Sequence, residues 1–158
     1  MRMIKAFAAV VAMIFMAACS NTEQQAAAPA TTTVTPGSVA DFRQNVGDRV
    51  FFDTDMSNIR EDGRQTLNRQ AEWLKKYTNY PVTIEGHCDE RGTREYNLGL
   101  GARRAQAVKD YLASLGVSGA RLDTISYGKE RPVCVESNEA CFAQNRRGVS
   151  LIKSGSVS

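Results

Sequence analysis

Charged side chains of opposite sign lie in three short segments that are far apart in the sequence. Acidic residues follow one hydrophobic run in Asp53-Thr54-Asp55 and a second hydrophobic run in Asp89-Glu90. A basic residue, Arg104, lies in a later segment with helical periodicity. Carboxylates bind ammonium groups, and a guanidinium group binds a carboxylate through two parallel hydrogen bonds. If the fold brings these segments together, the resulting pocket suits a zwitterion such as the end group of an amino acid.

Two other interpretations of these charged residues stay open at this point. An ordinary salt bridge between an aspartate and Arg104 would only hold a loop against a helix. Paired carboxylates among Glu85, Asp89 and Glu90 would permit glycosidase-like hydrolysis, which needs one acid of raised pKa facing a second carboxylate. The sequence disfavours hydrolysis, because Asp89 and Glu90 are neighbours in one loop and no Ser or Cys has a base partner at a recognisable spacing.

Hydrophobic periodicity predicts the elements that must position these side chains. Strands are expected at residues 49–52, 81–86, 122–127 and 149–152, and helices at residues 62–77 and 94–115. The order βαβαββ indicates an α+β fold, a two-layer sandwich in which two main helices cover a mixed β-sheet. Loops that leave the carboxyl ends of parallel strands gather at one edge of the sheet, where ligands bind. Both acidic loops belong to that edge.

The second predicted helix places Asn97, Gly101 and Arg104 on nearly one line, because an α-helix turns about 100° per residue. Arg104 is expected to be half-buried at the edge of the sheet. Glycine inside a helix costs about 1 kcal/mol relative to alanine, so Gly101 is interpreted as leaving room for a ligand beside Asn97 and Arg104. The apolar stripe of this helix is expected to comprise Leu98, Ala102, Ala105, Val108, Leu112 and Leu115.

Residues 1–18 have the features of a lipoprotein signal peptide. Two cations precede an apolar run over residues 6–18, and residues 16–19 (Met-Ala-Ala-Cys) fit a lipobox. Cys19 is therefore expected to be acylated as the first residue of the mature chain, since its thiol is the nucleophile that accepts the lipid. An ordinary cleavage site with a chance cysteine is the alternative. The lipobox and the following Ser20 predict a lipid-anchored protein of the bacterial outer membrane whose domain faces the periplasm.

Residues 19–37 are expected to form a disordered tether, and residues 38–158 the folded domain. The segment 20–36 holds no aromatic side chain and one charge, so it buries too little apolar surface to offset the entropy lost on ordering. Removing the signal peptide lowers the Lys+Arg count from 20 to 18 against 17 Asp+Glu. The remaining charge of about +1 is too small to indicate a nucleic-acid partner.

The cysteines indicate an oxidising compartment. Cys134 and Cys141 bracket six residues, and a disulfide between them would stabilise this connection by about 2 to 3 kcal/mol. Cys88 would stay free. A zinc site formed by these three cysteines and His87 is disfavoured, because adjacent residues of an extended chain point to opposite sides. Neither a metal nor another cofactor is expected.

Five segments of the sequence closely resemble the OmpA-like peptidoglycan-binding family. They lie in order, with few gaps, between about residues 49 and 152, and they are residues 51–55, 84–93, 95–105, 126–132 and 145–147. The resemblance implies a fold like the C-terminal domain of OmpA. It also implies non-covalent binding of peptidoglycan through the meso-diaminopimelate of its stem peptides.

The same resemblance assigns roles to individual residues. Asp89 corresponds to the acid of the family's Gly-His-x-Asp loop, Arg104 to its helix arginine, and Asp55 to the first-loop acid that contacts the ligand. Thr54, beside Asp55, and Asn97, in line with Arg104, complete the candidate ligand site. The resemblance further implies the Tol system as partner, notably TolB and TolA, in keeping the outer membrane attached to the wall and constricted at division.

Overall fold

A computed structural model describes residues 34–153 of the chain. The predicted signal peptide, the predicted acylation site Cys19 and most of the predicted tether lie outside the described residues. Within residues 34–153, no helix combines the length and the apolar character needed to span a membrane.

The described residues contain four strands and two main helices near their predicted positions. The helices are α1 (Val39–Asp41), which continues into a π-helical turn (Phe42–Val46), α2 (Glu61–Lys76), α3 (Arg94–Ser114) and α4 (Glu139–Asn145), with a 3-10 turn at Gly119–Arg121. The strands are β1 (Arg49–Phe51), β2 (Val82–His87), β3 (Leu122–Gly128) and β4 (Arg147–Ile152). The sequence did not predict α4, a short helix whose first turn is capped by the side chain of Asn138.

The sheet is mixed and has the strand order β1-β4-β2-β3. β4 is antiparallel to both β1 and β2, whereas β2 is parallel to β3. It follows that β1, β2 and β3 run in one direction and that the carboxyl ends of β1 and β2 lie at the same edge. The predicted α+β fold with a mixed sheet is confirmed, and the last strand lies between the first two.

Helices α2 and α3 contribute buried apolar side chains to one core with the sheet. The fully buried side chains of this core include Leu67 and Leu74 of α2, Val108 and Leu112 of α3, and Val50, Val82 and Ile84 of the sheet. The predicted stripe of α3 is wrong at its amino end, since Leu98 is 51% exposed and Ala102 is exposed. The buried face there consists of Asn97, Leu100, Gly101 and Arg104, because α3 presents its polar site residues to the sheet edge.

An aromatic cluster attaches the amino-terminal segment to α2. Trp73 packs edge-on against Phe42 with ring centroids 5.0 Å apart, and its indole Nε1 donates to Asp41 Oδ2 at 2.8 Å. Tyr80 donates its hydroxyl hydrogen to Gly37 O at 2.9 Å. Folded contacts therefore reach Gly37, one residue into the segment that the sequence assigned to the tether.

Candidate functional site

One pocket lies where the loops after β1 and β2 meet the first turns of α3. It has a volume of about 250 Å³. All five candidate ligand residues line it, namely Thr54, Asp55, Asp89, Asn97 and Arg104. The pocket is completed by Cys88, Arg91, Gly92, Tyr96 and Leu100. The expectation that segments far apart in the sequence meet at this edge is therefore confirmed.

Arg104 forms the floor of the pocket and is 0% exposed, so the expected half-burial is wrong. Its guanidinium donates to three main-chain oxygens, from Nε to Met56 O at 2.8 Å, from Nη1 to His87 O at 2.9 Å and from Nη2 to Asp53 O at 3.0 Å. A guanidinium has five N–H groups, so at most two remain for a ligand carboxylate. These oxygens belong to the loop after β1 and to the last residue of β2, and they need donors, which Arg104 supplies.

The simple salt-bridge interpretation of Arg104 is also wrong. Among the described residues no carboxylate oxygen lies within 4.0 Å of its guanidinium nitrogens. Arg104 instead holds both loops to α3 through their main-chain oxygens, and it brings a positive charge to the pocket floor.

Asp89 lies at the pocket wall between two arginines. Arg91 donates to it from its backbone N–H and from its guanidinium, with Nη2 2.7 Å from Asp89 Oδ2, and Arg146 Nη1 lies 3.3 Å from the same oxygen. Burial alone would raise the pKa of Asp89, but these hydrogen bonds outweigh burial and hold the pKa below its ordinary value. Asp89 is therefore ionised at neutral pH and able to face a cationic group.

The first-loop acids have different surroundings. Asp55 lines the pocket and accepts a hydrogen bond from the Tyr96 hydroxyl. Asp55 is also the one non-glycine residue within 34–153 with positive φ, at 59°, which fits the αL tolerance of aspartate. Asp53 lies outside the pocket lining, and its exposed carboxylate is 3.3 Å from Arg60 Nη1. The structure therefore places Asp55, and not Asp53, at the pocket.

Asn97 holds the shape of the pocket loop. Its side-chain Nδ2 donates to Arg91 O at 2.7 Å and to Thr93 O at 3.0 Å. Thr93 caps α3 by accepting from Tyr96 N–H at 3.2 Å. The amide hydrogens of Asn97 are thus used within the loop, and its Oδ1 is the atom that remains for a ligand.

Gly101 does not leave room for a ligand, contrary to the expectation. A Cβ at Gly101 would overlap Ser126 Oγ and lie 2.9 Å from Gly86 O, and a Cβ at Gly86 would overlap the Gly101 carbonyl. The two glycines allow α3 to lie directly against β2 and β3. This close contact sets the depth at which Asn97 and Arg104 lie.

The carboxylates of the hydrolase interpretation do not converge. Glu85 lies outside the pocket lining, with its Oε2 3.2 Å from His87 Nε2. Glu90 accepts a hydrogen bond from Ser137 Oγ at 2.6 Å. Burial raises the pKa of Glu85, but the acid that lines the pocket, Asp89, has a lowered pKa. Of the three carboxylates of this interpretation only Asp89 lines the pocket, so Glu85, Asp89 and Glu90 do not form the facing pair that glycoside hydrolysis needs.

Three cysteines lie within the described residues. Cys134 and Cys141 are joined in a disulfide, with their Cα atoms 5.1 Å apart. Cys88 is a buried free thiol whose Sγ is 3.3 Å from Asn97 O, and burial raises its pKa. Within residues 34–153 no group of three or more His, Cys, Asp or Glu side chains could hold a metal ion.

Sequence reasoning did not name three side chains that shape the pocket. Arg91 and Arg146 bind Asp89, and Tyr96 binds Asp55. Arg146 belongs to the Asn-Arg-Arg segment that carried part of the resemblance, and Tyr96 follows the helix cap by three residues. The sequence positions of Arg146 and Tyr96 could have indicated that these side chains belong to the site. The partner of each side chain could not be predicted, because it depends on the tertiary structure.

A comparison with known protein families supports the resemblance noted in the sequence. Residues 51–146 match the model of the OmpA family. The chain belongs to the OmpA family. OmpA-like domains are non-enzymatic, and the chain is not an enzyme.

Two curated relatives of this OmpA-family chain carry the same name. A protein of Agrobacterium fabrum is 62% identical over 120 residues, which cover 76% of this chain and 68% of that relative. A protein of Mesorhizobium japonicum is 53% identical over 149 residues, which cover 91% of this chain and 89% of that relative. Both are named peptidoglycan-associated lipoprotein.

Two solved structures share the fold of this chain. The crystal structure of the peptidoglycan-associated lipoprotein from Burkholderia pseudomallei has a TM-score of 0.69 and 36% identity, and the match covers 73% of this chain and 100% of that chain. The C-terminal domain of Helicobacter pylori MotB has a TM-score of 0.64 at 22% identity, covering 68% of this chain and 85% of that chain. The second likeness concerns the fold alone.

Proposed function

We propose that this chain is an outer-membrane lipoprotein that binds peptidoglycan non-covalently through the meso-diaminopimelate of the stem peptide. Lipid on Cys19 anchors one end of the chain, and the pocket binds the wall at the other end. The names of the relatives and the lipobox support this proposal. Each buried CH₂ of an acyl chain contributes about 0.8 kcal/mol, so several chains on one residue anchor stably.

The observation that carries the proposal is the balance of charge around one pocket. The lining contains two carboxylates, Asp55 and Asp89, and two guanidinium groups, Arg91 and Arg104. A pocket with equal numbers of both charges favours a ligand that also carries both. The free end of diaminopimelate is such a ligand, with an ammonium and a carboxylate on one carbon.

The ligand groups have natural partners in this pocket. The ammonium would bind the carboxylate of Asp89 at the wall, with Asp55 at the opposite loop. The carboxylate would bind the remaining N–H groups of Arg104 at the floor. Binding in this way leaves the three carbonyl contacts of Arg104 intact, so the ligand adds to the existing network without replacing it.

The proposal extends to the cellular role that the family resemblance implies. TolB and TolA are the expected protein partners. Together with them, the chain would keep the outer membrane attached to the cell wall, support envelope integrity and assist constriction at cell division. Cross-linking in cells followed by recovery of TolB or TolA tests this part.

Co-sedimentation of the purified domain with isolated sacculi tests the peptidoglycan binding. We expect Asp89→Asn to lose at least about tenfold in affinity, since a buried charge partner of the ligand is typically worth more than 1.4 kcal/mol. Asp53→Asn is the matched control, because this neighbouring acid is outside the pocket lining. Arg104→Ala is a poorer test, because it leaves three carbonyls without a donor and destabilises the fold.

Equal sedimentation of Asp89→Asn and wild type would contradict the pocket assignment. Release of soluble fragments from labelled peptidoglycan would instead indicate a hydrolase. A titration with a stem peptide that ends in meso-diaminopimelate, followed by NMR shifts of the pocket residues, identifies the ligand group directly.

A further inference from the structure

The segment between β3 and α4 wraps around the acidic loop of the pocket. Lys129 Nζ donates to Glu90 O at 3.0 Å and to Gly92 O at 2.7 Å. Ser137 Oγ donates to Glu90 Oε1 at 2.6 Å. The loop that carries Asp89 therefore has its position set partly by this segment.

The first residue of α4 reaches the pocket acid through one arginine. Arg146 Nη2 donates to Glu139 Oε1 at 2.6 Å, and Arg146 Nη1 lies 3.3 Å from Asp89 Oδ2. The Arg146 side chain is 7% exposed, so this shared guanidinium is shielded from water. Glu139 also approaches Arg91, the second partner of Asp89, at 3.9 Å.

Glu139 offsets positive charge that would otherwise oppose a cationic ligand. Asp89 faces two guanidinium groups, and together they would repel an ammonium that approaches the same carboxylate. By binding Arg146 and lying near Arg91, Glu139 neutralises part of this charge. Asp89 then keeps enough negative potential to bind the ammonium.

The Cys134–Cys141 disulfide closes a short loop that contains Glu139. Cys134 and Cys141 are seven residues apart, and Glu139 lies in the loop that they close. Asn145 binds Cys134 on the other side, with Nδ2 2.7 Å from Cys134 O. α4 has seven residues, which is too short for a helix to persist without outside support. The covalent link is one such support, beside the Asn138 cap and the contact of Asn145 with Cys134.

We propose that Glu139 is a positioning residue of the ligand pocket and that the Cys134–Cys141 disulfide holds it there, so that reducing the disulfide weakens ligand binding. This inference rests on the proposed function, since the ligand is the diaminopimelate end group. It adds regulation by the redox state of a bond that touches neither the ligand nor Asp89.

The chemical step is a thiol–disulfide exchange with a dithiol. One thiolate of the dithiol attacks one sulfur of the pair, which forms a mixed disulfide and frees the other cysteine as a thiolate. The second thiolate of the dithiol then attacks the dithiol sulfur in that mixed disulfide and frees the second cysteine. The S–S bond between Cys134 and Cys141 breaks, two electrons and two protons pass to these residues, and the dithiol closes to a cyclic disulfide. Glu139 is then released from its covalent loop.

Isothermal titration with a stem peptide that ends in meso-diaminopimelate tests the inference on the folded domain. We expect dithiothreitol to weaken binding by the oxidised wild type about fivefold, the scale of one partly screened charge. Glu139→Gln should show a similar loss without reductant, and Glu139→Asp should recover part of it. The Cys134→Ser/Cys141→Ser variant should bind weakly and ignore dithiothreitol. Glu130→Gln is the matched control, because this acid pairs with Arg94 and not with Arg146.

NMR titration of the Asp89 carboxyl carbon separates positioning from general loosening. Glu139→Gln leaves more positive charge beside Asp89, so its pKa should fall below the wild-type value, whereas Glu130→Gln should leave it unchanged. If reduced and oxidised wild type bind equally, or Glu139→Gln binds like wild type, the inference is wrong while the proposed function stands. If the oxidised wild type does not bind the stem peptide, the proposed function is wrong. An unchanged pKa of Asp89 in Glu139→Gln would overturn the inference about Glu139.

Discussion

The stability of this domain should depend on pH through His87, the one histidine of the chain. His87 ends β2, is 1% exposed and stacks on Tyr127 with ring centroids 5.6 Å apart. It faces the carboxylate of Glu85 and the positive charges of Arg131 and Arg147. Burial, with added repulsion from Arg147 and Arg131, lowers the pKa of His87 from 6.5 to about 4.

The sign and size of the effect follow from this depressed pKa. Between pH 6.5 and pH 4 the unfolded chain holds a proton on His87 that the folded chain does not, so stability falls as the pH falls. The difference of 6.5 − 4 = 2.5 units, at about 1.36 kcal/mol per unit, gives about 3 kcal/mol over the full window. Above pH 6.5 this contribution is fully present.

Urea unfolding at about pH 7 and pH 4.5 measures how much the free energy of unfolding falls between these pH values. This decrease should be about 2.5 kcal/mol larger in wild type than in His87→Gln. The comparison is best made in a Glu85→Gln background, because burial raises the pKa of Glu85 and its titration has the opposite sign. With one histidine, the imidazole NMR signals need no assignment. An imidazole that titrates near 6.5 in the folded protein, or equal pH dependence in both proteins, would refute the argument.

Two further predictions concern the fold and the anchor. Gly86→Ala should lower the free energy of unfolding by about 2 kcal/mol or more, since the added Cβ overlaps the Gly101 carbonyl. Thermal unfolding measures this decrease. Gly119→Ala is the control and should change the free energy of unfolding little, because its Cβ meets no atom within 4 Å. Cys19→Ser should give unlipidated protein that no longer fractionates with the outer membrane, and recovery of this variant in the membrane pellet would contradict the anchor.

The sequence predicted the main elements because their signals are local. The period of apolar residues in α2 and the capping Thr93 before α3 both depend on near neighbours in the chain. α4 was missed for the same reason, since its seven residues carry little apolar periodicity and it is supported from outside by a disulfide. The location of β4 between β1 and β2 depends on pairings between distant segments, which no local pattern records.

The sequence predicted residues that line the pocket but not the contacts that each of them makes. Loops at the carboxyl ends of parallel strands gather at one edge of a sheet, and this predicted that Asp55 and Asp89 lie in one pocket with Arg104. Whether an arginine binds a ligand or a carbonyl depends on which atoms lack partners in the folded state, so the three carbonyl contacts of Arg104 could not be foreseen. The role of Gly101 was misjudged because a missing side chain makes room for a ligand or for a neighbouring strand, and the sequence does not say which.

The central location of β4 has a consequence for how the molecule is assembled. In the described sheet, β1 pairs with β4 and with no other strand, and Arg146, just before β4, also holds Phe52 O. Synthesis proceeds from the amino end, so β1, β2 and β3 are all made before residues 147–152, which complete the sheet. The four-stranded sheet is therefore completed only after its last strand has been synthesised, because both neighbours of β4 precede it in the chain.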